Sequence, residues 1–286
     1  MLPFEIKARA KLNLTLDVLG RREDGYHDLR MVMQSVQLCD TVTLAPGQEE
    51  SVRVSSNLGF LPADRRNLAA AAALTFCEET GVVCPPLDIT LDKVIPVCAG
   101  LGGGSSDAAA VLHAMNRICD TNLSVERLAE IGQKVGSDVP YCVLGGTALA
   151  EGRGEVLTPL PALPQCWVAL CKPDFSVSTP ALFQQIDAVR LRRRPDTEGV
   201  LKALQAGDLA GVARRLYNVF EDALPERYAA KVEQVKHVLI EHGALGAAMS
   251  GTGSAVFGLF EGEEQAKAAC QELRGLYPET FLTQTV

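Results

Sequence analysis

The chain reads as a two-domain α+β protein, on three observations. Its 286 residues exceed the ~100–200 residues of an ordinary single domain. Segments of alternating apolar and polar residues crowd the first 56 positions, whereas strand-like and helix-like segments alternate from Trp167 onward. Between these regions, residues 159–165 carry three prolines in seven positions, the composition of a linker. The expected division is therefore residues 1–160 and residues 161–286.

From Phe4 to Ser56 the period is two. Leu12, Leu14, Leu16 and Val18 alternate with Asn13, Thr15 and Asp17, and the segments 31–38, 41–44 and 52–54 continue the pattern as strands of a largely antiparallel sheet. The polar stretch Gly20–Asp28 breaks them as a turn-rich insert. Leu68–Glu79 is rich in alanine and free of proline, which predicts a helix, and Gly81 supplies its stop. Residues 86–96 return to a strand. A glycine loop then runs into a helix that starts at or near Ser105, because Ala108, Val111, Leu112, Met115 and Ile118 recur at steps of three and four. Ser124 caps a further short helix through Lys134. Strand-like segments follow at 145–151 and 154–160. Beyond the linker the pattern predicts a strand at 167–173, a helix at 181–186, helices around 208–223 and 226–242, and a glycine hinge at 249–254. A strand at 255–260, a helix at 263–276 and a last strand at 280–286 complete it.

Composition narrows the function. With 27 Lys and Arg against 35 Asp and Glu the net charge is −8, so the overall field repels polyanions and disfavours a nucleic-acid partner. The arginine clusters Arg21–Arg22, Arg65–Arg66, Arg192–Arg194 and Arg214–Arg215 lack interleaved aromatics and read as solvated faces, some of them available to steer phosphates. The first residues interleave charge with apolar positions and hold no apolar core of the roughly 7–15 residues that a secretory signal needs. The longest charge-free run, Gly243–Phe260, contains five glycines and three hydroxyl residues and is no membrane span. Nine cysteines without a C-x-x-C pair point to free thiols in a reducing cytoplasm.

The chemistry concentrates at residues 96–106. Four glycines, Gly100 and Gly102 to Gly104, precede Ser105 and Ser106 at the mouth of a helix. Glycine removes the Cβ barrier to unusual φ, so that N–H groups can converge on an anion, and the helix N-terminus adds its own unpaired donors. The segment fits a phosphate cradle. It lacks the lysine of G-x-x-x-x-G-K-[ST], and Ser105 stands where the last glycine of G-x-G-x-x-G would be, which excludes the two common nucleotide motifs. A glycine turn that merely joins strand to helix is the plain alternative.

Residues 96–109 resemble the central phosphate-binding motif of the GHMP kinases. Residues 10–29 and 249–257 resemble that family's other two motifs, in the same order and across effectively the whole chain. The resemblance implies a fold of two domains, the first like the second domain of ribosomal protein S5 and the second ferredoxin-like. It also implies ATP and Mg²⁺ as cofactors and a small-molecule substrate that carries a cytidine diphosphate group. It implies Asp138 as the base and Lys11 as its cationic partner in phosphoryl transfer. It further implies ATP contacts from Pro96, Val97, Cys98, Ala99, Gly100, Leu101, Gly102, Gly103, Gly104, Ser105 and Ser106, with Asn67 and Lys93 near the adenine. Substrate contacts fall to Asn13, Tyr26, His27, Thr179 and Phe183.

Each of these residues also has an ordinary reading. Asp138 and Asn67 fit helix caps, Lys11 and Lys93 solvated cations, Tyr26 hairpin packing and Phe183 helix core. Cys98 departs from the family, which usually has glycine or a similarly small residue there. Metal ligands on the protein are not legible beyond the loop serines. His237 and His242 are five apart, off the i, i+4 spacing of a helical metal pair. Other small-alcohol kinases of the same family, of mevalonate or homoserine type, and a non-catalytic nucleotide-binding protein are the competing functions.

Overall fold

The computed structural model describes residues 3–48 and 51–286. In chain order the elements are β1 (Phe4–Arg21), β2 (His27–Pro46), β3 (Val52–Ser56), α1 (Leu68–Thr80), β4 (Leu87–Asp92), α2 (Gly103–Ile118), α3 (Val125–Val135), α4 (Val139–Leu144), β5 (Thr147–Gly152) and β6 (Val156–Pro159). They continue with β7 (Trp167–Cys171), α5 (Thr179–Ile186), α6 (Thr197–Gln205), α7 (Leu209–Ala213), β8 (Tyr217–Asn218), a 3₁₀ turn (Val219–Ala223), α8 (Glu226–Glu241), β9 (Gly246–Met249), β10 (Val256–Phe260), α9 (Glu263–Leu276) and β11 (Thr280–Gln284). The chain divides into two compact units that interleave in sequence. Unit 1 takes residues 1–10, 38–97 and 102–145, and unit 2 takes 11–37, 98–101 and 146–286.

Unit 1 is a sheet covered by helices. β4 lies between β3, which it pairs in parallel, and the second half of β2, which it pairs antiparallel from Thr41↔Asp92 to Pro46↔Leu87. The sheet's inward side chains, Val42, Leu44, Val54, Leu87, Ile89 and Leu91, form one core with Phe76 of α1 and with Val111, Leu112 and Met115 of α2. The three- and four-residue spacing in α2 therefore faces the core as its periodicity predicts, with Ile118 only partly buried at the rim. Helix α1 runs one residue past the predicted end and stops at Gly81, whose φ of 72° is left-handed. Helix α2 begins at Gly103, two residues before Ser105, so two glycines occupy its first turn.

Unit 2 has a second sheet of four antiparallel strands in the order β11-β7-β10-β9, packed against α8 and α9. The first half of β2 pairs β5 from Leu29↔Gly152 to Gln34↔Thr147, β5 pairs β6, and β1 pairs β8 in parallel at Thr15↔Tyr217 and Leu16↔Asn218. Residues 160–166 are irregular, as the prolines predict. The expected helix over 208–223 is not one element: α7 ends at Ala213, and the chain turns extended at Tyr217–Asn218 to pair with β1 before the 3₁₀ turn. Backbone pairing to a strand some two hundred residues earlier overrides the local helical preference there. Residues 31–38 and 41–44 form the single long strand β2. Helices α4 and α6 and strand β9 lie outside the predicted elements, although Val200, Ala203 and Leu204 of α6 are buried at steps of three and four.

Among the described residues no helix is long and apolar enough to cross a membrane, and all nine cysteines are free.

Candidate active site

The glycine loop is held by its carbonyls. Within unit 2, Ala255 N–H donates to Ala99 O (3.1 Å), Ser250 Oγ donates to Gly100 O (3.0 Å) and Lys11 N–H donates to Leu101 O (3.0 Å). No backbone N–H from Ala99 to Ser105 donates a hydrogen bond among the described residues. Seven amides are thus left open, and in three of those peptides, the ones carrying the N–H of Gly100, Leu101 and Gly102, the carbonyl is pinned. Cys98, Gly100 and Gly102 have φ of 55°, 76° and 69°, so every second residue is left-handed. That alternation is the backbone form that turns successive N–H groups toward one anion, and α2 starts immediately after it with its own unpaired donors.

Cys98 is the one exposed cysteine among the described residues, and its positive φ gives a physical reason for glycine at this position. Cys98→Gly is expected to raise stability by about 0.5–1 kcal/mol, read as a higher denaturant midpoint at unchanged slope.

In unit 1 the loop's flanks are braced by buried charge. Lys93 Nζ donates to Asp40 Oδ2 and to Asp107 Oδ2 (2.5 Å), with all three side chains at most 4% exposed. Asp40 Oδ1 accepts from the backbone N–H of Val94 (2.6 Å) and Ile95 (2.7 Å), just ahead of the loop, while Asp107 sits in the second turn of α2, just behind it. A Cβ on Gly103 would stand 3.4 Å from Lys93 Nζ. Ser106 Oγ donates to Arg9 O (2.5 Å), a further tie on α2. Lys93 therefore supports the loop from within, with two of its three donors committed. Asn67 likewise caps α1: its Oδ1 accepts from Ala69 N–H (3.0 Å) and its Nδ2 donates to Pro62 O (3.0 Å).

Burial and the neighbouring Asp40 carboxylate push the Asp107 carboxyl up to about 7 against the opposing pull of Lys93, and its Oδ1 is buried without a hydrogen-bond partner. A carboxyl raised on folding holds its proton more tightly in the folded state, so its contribution to stability falls as pH rises from about 4 to about 7. Asp107→Asn is expected to remove that descending slope, so that the stability difference between variant and wild type changes across this pH window. Urea unfolding at pH 5, 6, 7 and 8 checks it.

On β1, Lys11 and Asn13 share a face and touch: Lys11 Nζ donates to Asn13 Oδ1 (2.7 Å). Both are buried, at 4% and 0% exposure. Asn13 Nδ2 faces Met31 Sδ (3.3 Å), and its backbone N–H donates to Ser250 Oγ (3.2 Å). Ser250 thus ties Asn13 to Gly100, linking the first motif to the loop through the third. Two residues without a sequence signal of their own secure that third motif. Asn218 Nδ2 donates to Met249 O (2.8 Å) and Gly251 O (2.7 Å), and Glu221 Oε1 accepts from Met249 N–H (2.8 Å). Thr179, at the start of α5, has its Oγ1 3.1 Å from Thr252 Oγ1.

The β1–β2 hairpin carries Tyr26 and His27, and within unit 2 the His27 ring joins rings from α5 and the 3₁₀ turn. His27 stacks on Phe183 with centroids 4.8 Å apart, and its Nε2 lies 2.8 Å from Asp187 Oδ1. Phe183 meets Phe220 edge to face at 4.9 Å. Tyr26 is 56% exposed, with the Arg153 guanidinium 4.5 Å over its ring. An exposed aromatic beside a held imidazole offers a planar ligand a face to stack on and an edge to bond.

Asp138, in unit 1, is the residue before α4 and is partly buried; its side chain makes no cap hydrogen bond to that helix. Among the described residues no three His, Cys, Asp or Glu side chains cluster as a metal site.

Of the residues that sequence reasoning passed over, Asp107 had a usable signal. It lies four residues before Val111 and eight before Met115, on the buried face of α2, where a charge demands a partner. Asp40, Asn218 and Glu221 had none.

The family model described as GHMP kinases N terminal domain matches residues 67–146, and that described as GHMP kinases C terminal matches residues 200–279. The 4-diphosphocytidyl-2-C-methyl-D-erythritol kinase of Alkaliphilus metalliredigens is 42% identical over 285 residues, covering 100% of this chain and 97% of its own. The enzyme of that name from Geobacillus kaustophilus is 42% identical over 279 residues, 97% of this chain and 95% of its own. A crystal structure of 4-(cytidine 5'-diphospho)-2C-methyl-D-erythritol kinase superposes with a TM-score of 0.81 at 34% identity, over 99% of both chains. The homoserine kinase of Cytophaga hutchinsonii shares the fold alone, with a TM-score of 0.77 at 19% identity over 99% of this chain and 94% of its own. The glycine loop with its open amides, the order of the three motifs and these full-length likenesses lead to one conclusion: the chain belongs to the GHMP kinase family.

Proposed function

We propose that the enzyme transfers the γ-phosphoryl group of ATP to the 2-hydroxyl of 4-diphosphocytidyl-2-C-methyl-D-erythritol, a step of isoprenoid precursor biosynthesis by the non-mevalonate route. The observation that carries the reaction class is the row of seven open amides from Ala99 to Ser105, which suits the β- and γ-phosphates. The substrate rests on the full-length relatives that bear its name.

In this reading Asp138 takes the proton of the 2-hydroxyl as its oxygen attacks the γ-phosphorus and ADP leaves. Lys11, oriented by Asn13 Oδ1, supplies positive charge to the oxygen as it loses its proton. Tyr26, His27 and Phe183 hold the cytosine, with Thr179 near the opening. Asn67 and Lys93 wall the adenine end, where side chains already committed to the scaffold shape the pocket more than they donate to the base. When bound with the triphosphate, Mg²⁺ would supply positive charge against its phosphoryl oxygens. Ser105, whose hydroxyl is uncommitted among the described residues, fits as its loop ligand better than Ser106, whose hydroxyl donates to Arg9 O. The boundary near residue 160 remains our proposal for the family's two domains, since their models match on either side of it. Free cysteines throughout favour the cytoplasm as its location.

The test is ADP release measured with the cytidyl substrate beside mevalonate and homoserine. Turnover with the cytidyl compound alone is expected; turnover with either of the others but not with it overturns the assignment.

A further inference from the structure

Two of the arginine clusters that read as solvated faces converge in unit 2. Arg193 and Arg194 meet Arg214 and Arg215 around a cavity of about 360 Å³ whose other lining residues are Asp196 and Tyr217. Two of the guanidinium groups are matched: Arg194 Nη1 to Asp17 Oδ1 (2.6 Å) and Arg215 Nε to Asp196 Oδ2 (2.8 Å). The other two are not. Arg193 only covers the Tyr217 ring, 4.2 Å from its centroid, and the Arg214 side chain makes no ion pair or hydrogen bond among the described residues. The lining thus holds four positive groups against one carboxylate, in a chain whose net charge is −8. Like charges gathered around one hollow repel each other unless an anion joins them.

We propose that this cavity binds the diphosphate group of a small molecule. Each unmatched guanidinium presents a planar fork of donors that suits two phosphoryl oxygens, and two such forks suit two phosphoryl groups. One face of Tyr217 is already taken by Arg193, so the ligand is held through its diphosphate. The adjoining cavity of about 350 Å³ shares Arg193 and Tyr217 but sets Glu221, Asp222 and Glu233 against Arg192, Arg193 and Lys236, so its charges balance and the excess of positive charge belongs to the first. The site is separate from the machinery described above. Tyr217 and Asn218 are consecutive strand residues whose side chains point to opposite faces, and Asn218 holds the third motif on the other one.

The test is calorimetric titration of the full chain with inorganic pyrophosphate at constant ionic strength, with the glycine loop filled by a saturating non-hydrolysable ATP analogue. Wild type is expected to bind one pyrophosphate, and the R193A/R214A variant to bind it at least tenfold more weakly. The R65A/R66A variant is expected to match wild type. Retained kinase turnover in R193A/R214A shows that the variant is folded. Arms with ADP and with an alkyl diphosphate distinguish a nucleotide from a non-nucleotide source of the group; tight binding of either supports the site. Equal affinity in wild type and R193A/R214A, or no binding by wild type at millimolar pyrophosphate, overturns it.

Discussion

Gly100→Ala is expected to lower kcat/KM for ATP by at least about 100-fold and to destabilise the protein by about 2 kcal/mol or more. Gly100 has φ of 76°, where a side chain costs about 1–2 kcal/mol by itself. A Cβ built there would also lie 2.1 Å from Ser250 O and 3.1 Å from Gly253 N, both backbone atoms that cannot swing aside. The loop or the third motif has to move, and the carbonyl of Gly100 then loses its bond from Ser250 Oγ. Because the open amides of Gly100, Leu101 and Gly102 share their peptides with those pinned carbonyls, the loss falls on phosphate binding as well as on folding. Gly104→Ala is the control: its Cβ would meet only Leu68 Cδ1 at 3.5 Å, an ordinary contact, so its denaturant midpoint is expected not to fall. Steady-state kinetics and urea unfolding on the two variants separate the geometric requirement at Gly100 from a general need for glycine. Equal behaviour of the two would refute it.

The second large effect belongs to the proposed base. Asp138→Asn keeps the side chain's size and removes its charge, and is expected to lower kcat by about 10²–10⁴-fold with KM for ATP within about threefold of wild type. Asparagine is as good as aspartate ahead of a helix, and the variant's folding is read from its denaturant midpoint. Single-turnover phosphoryl transfer with the cytidyl substrate, together with nucleotide binding by fluorescence titration, checks both halves. Unchanged turnover would remove Asp138 from the mechanism, and loss of ATP binding would make it a structural residue of the loop region.

Much of the molecule was legible in one dimension because its signals are local. Glycines at 100 and 102 are needed by the left-handed backbone of that loop itself, and the apolar spacing of α2 records which face meets the core. Asn67 and Ser124 cap the helices that begin one residue later. Lys11 and Asn13 touch because strand alternation puts them on one face. The ordinary reading of Asn67 as the cap of α1 has its bonds in place, from Ala69 N–H and to Pro62 O.

What escaped depends on residues far apart in the chain. Lys93 looked like a free cation until folding set it between Asp40, 53 positions earlier, and Asp107. Asn218 and Glu221 lie about 30 positions from the loop they hold, in a stretch whose local propensity reads as helix. Arg193 and Arg214 are 21 residues apart and show no common purpose until they face one cavity.

The sequence by itself determined the α+β class, the order of the three motifs and the phosphate-binding character of the loop, since backbone freedom and helix polarity are properties of a short segment. Only the tertiary structure decided which charges are paired, which amides stay open and where two arginine clusters meet. Pairing and desolvation are set by neighbours in space, and the chain brings those neighbours together only when the core closes.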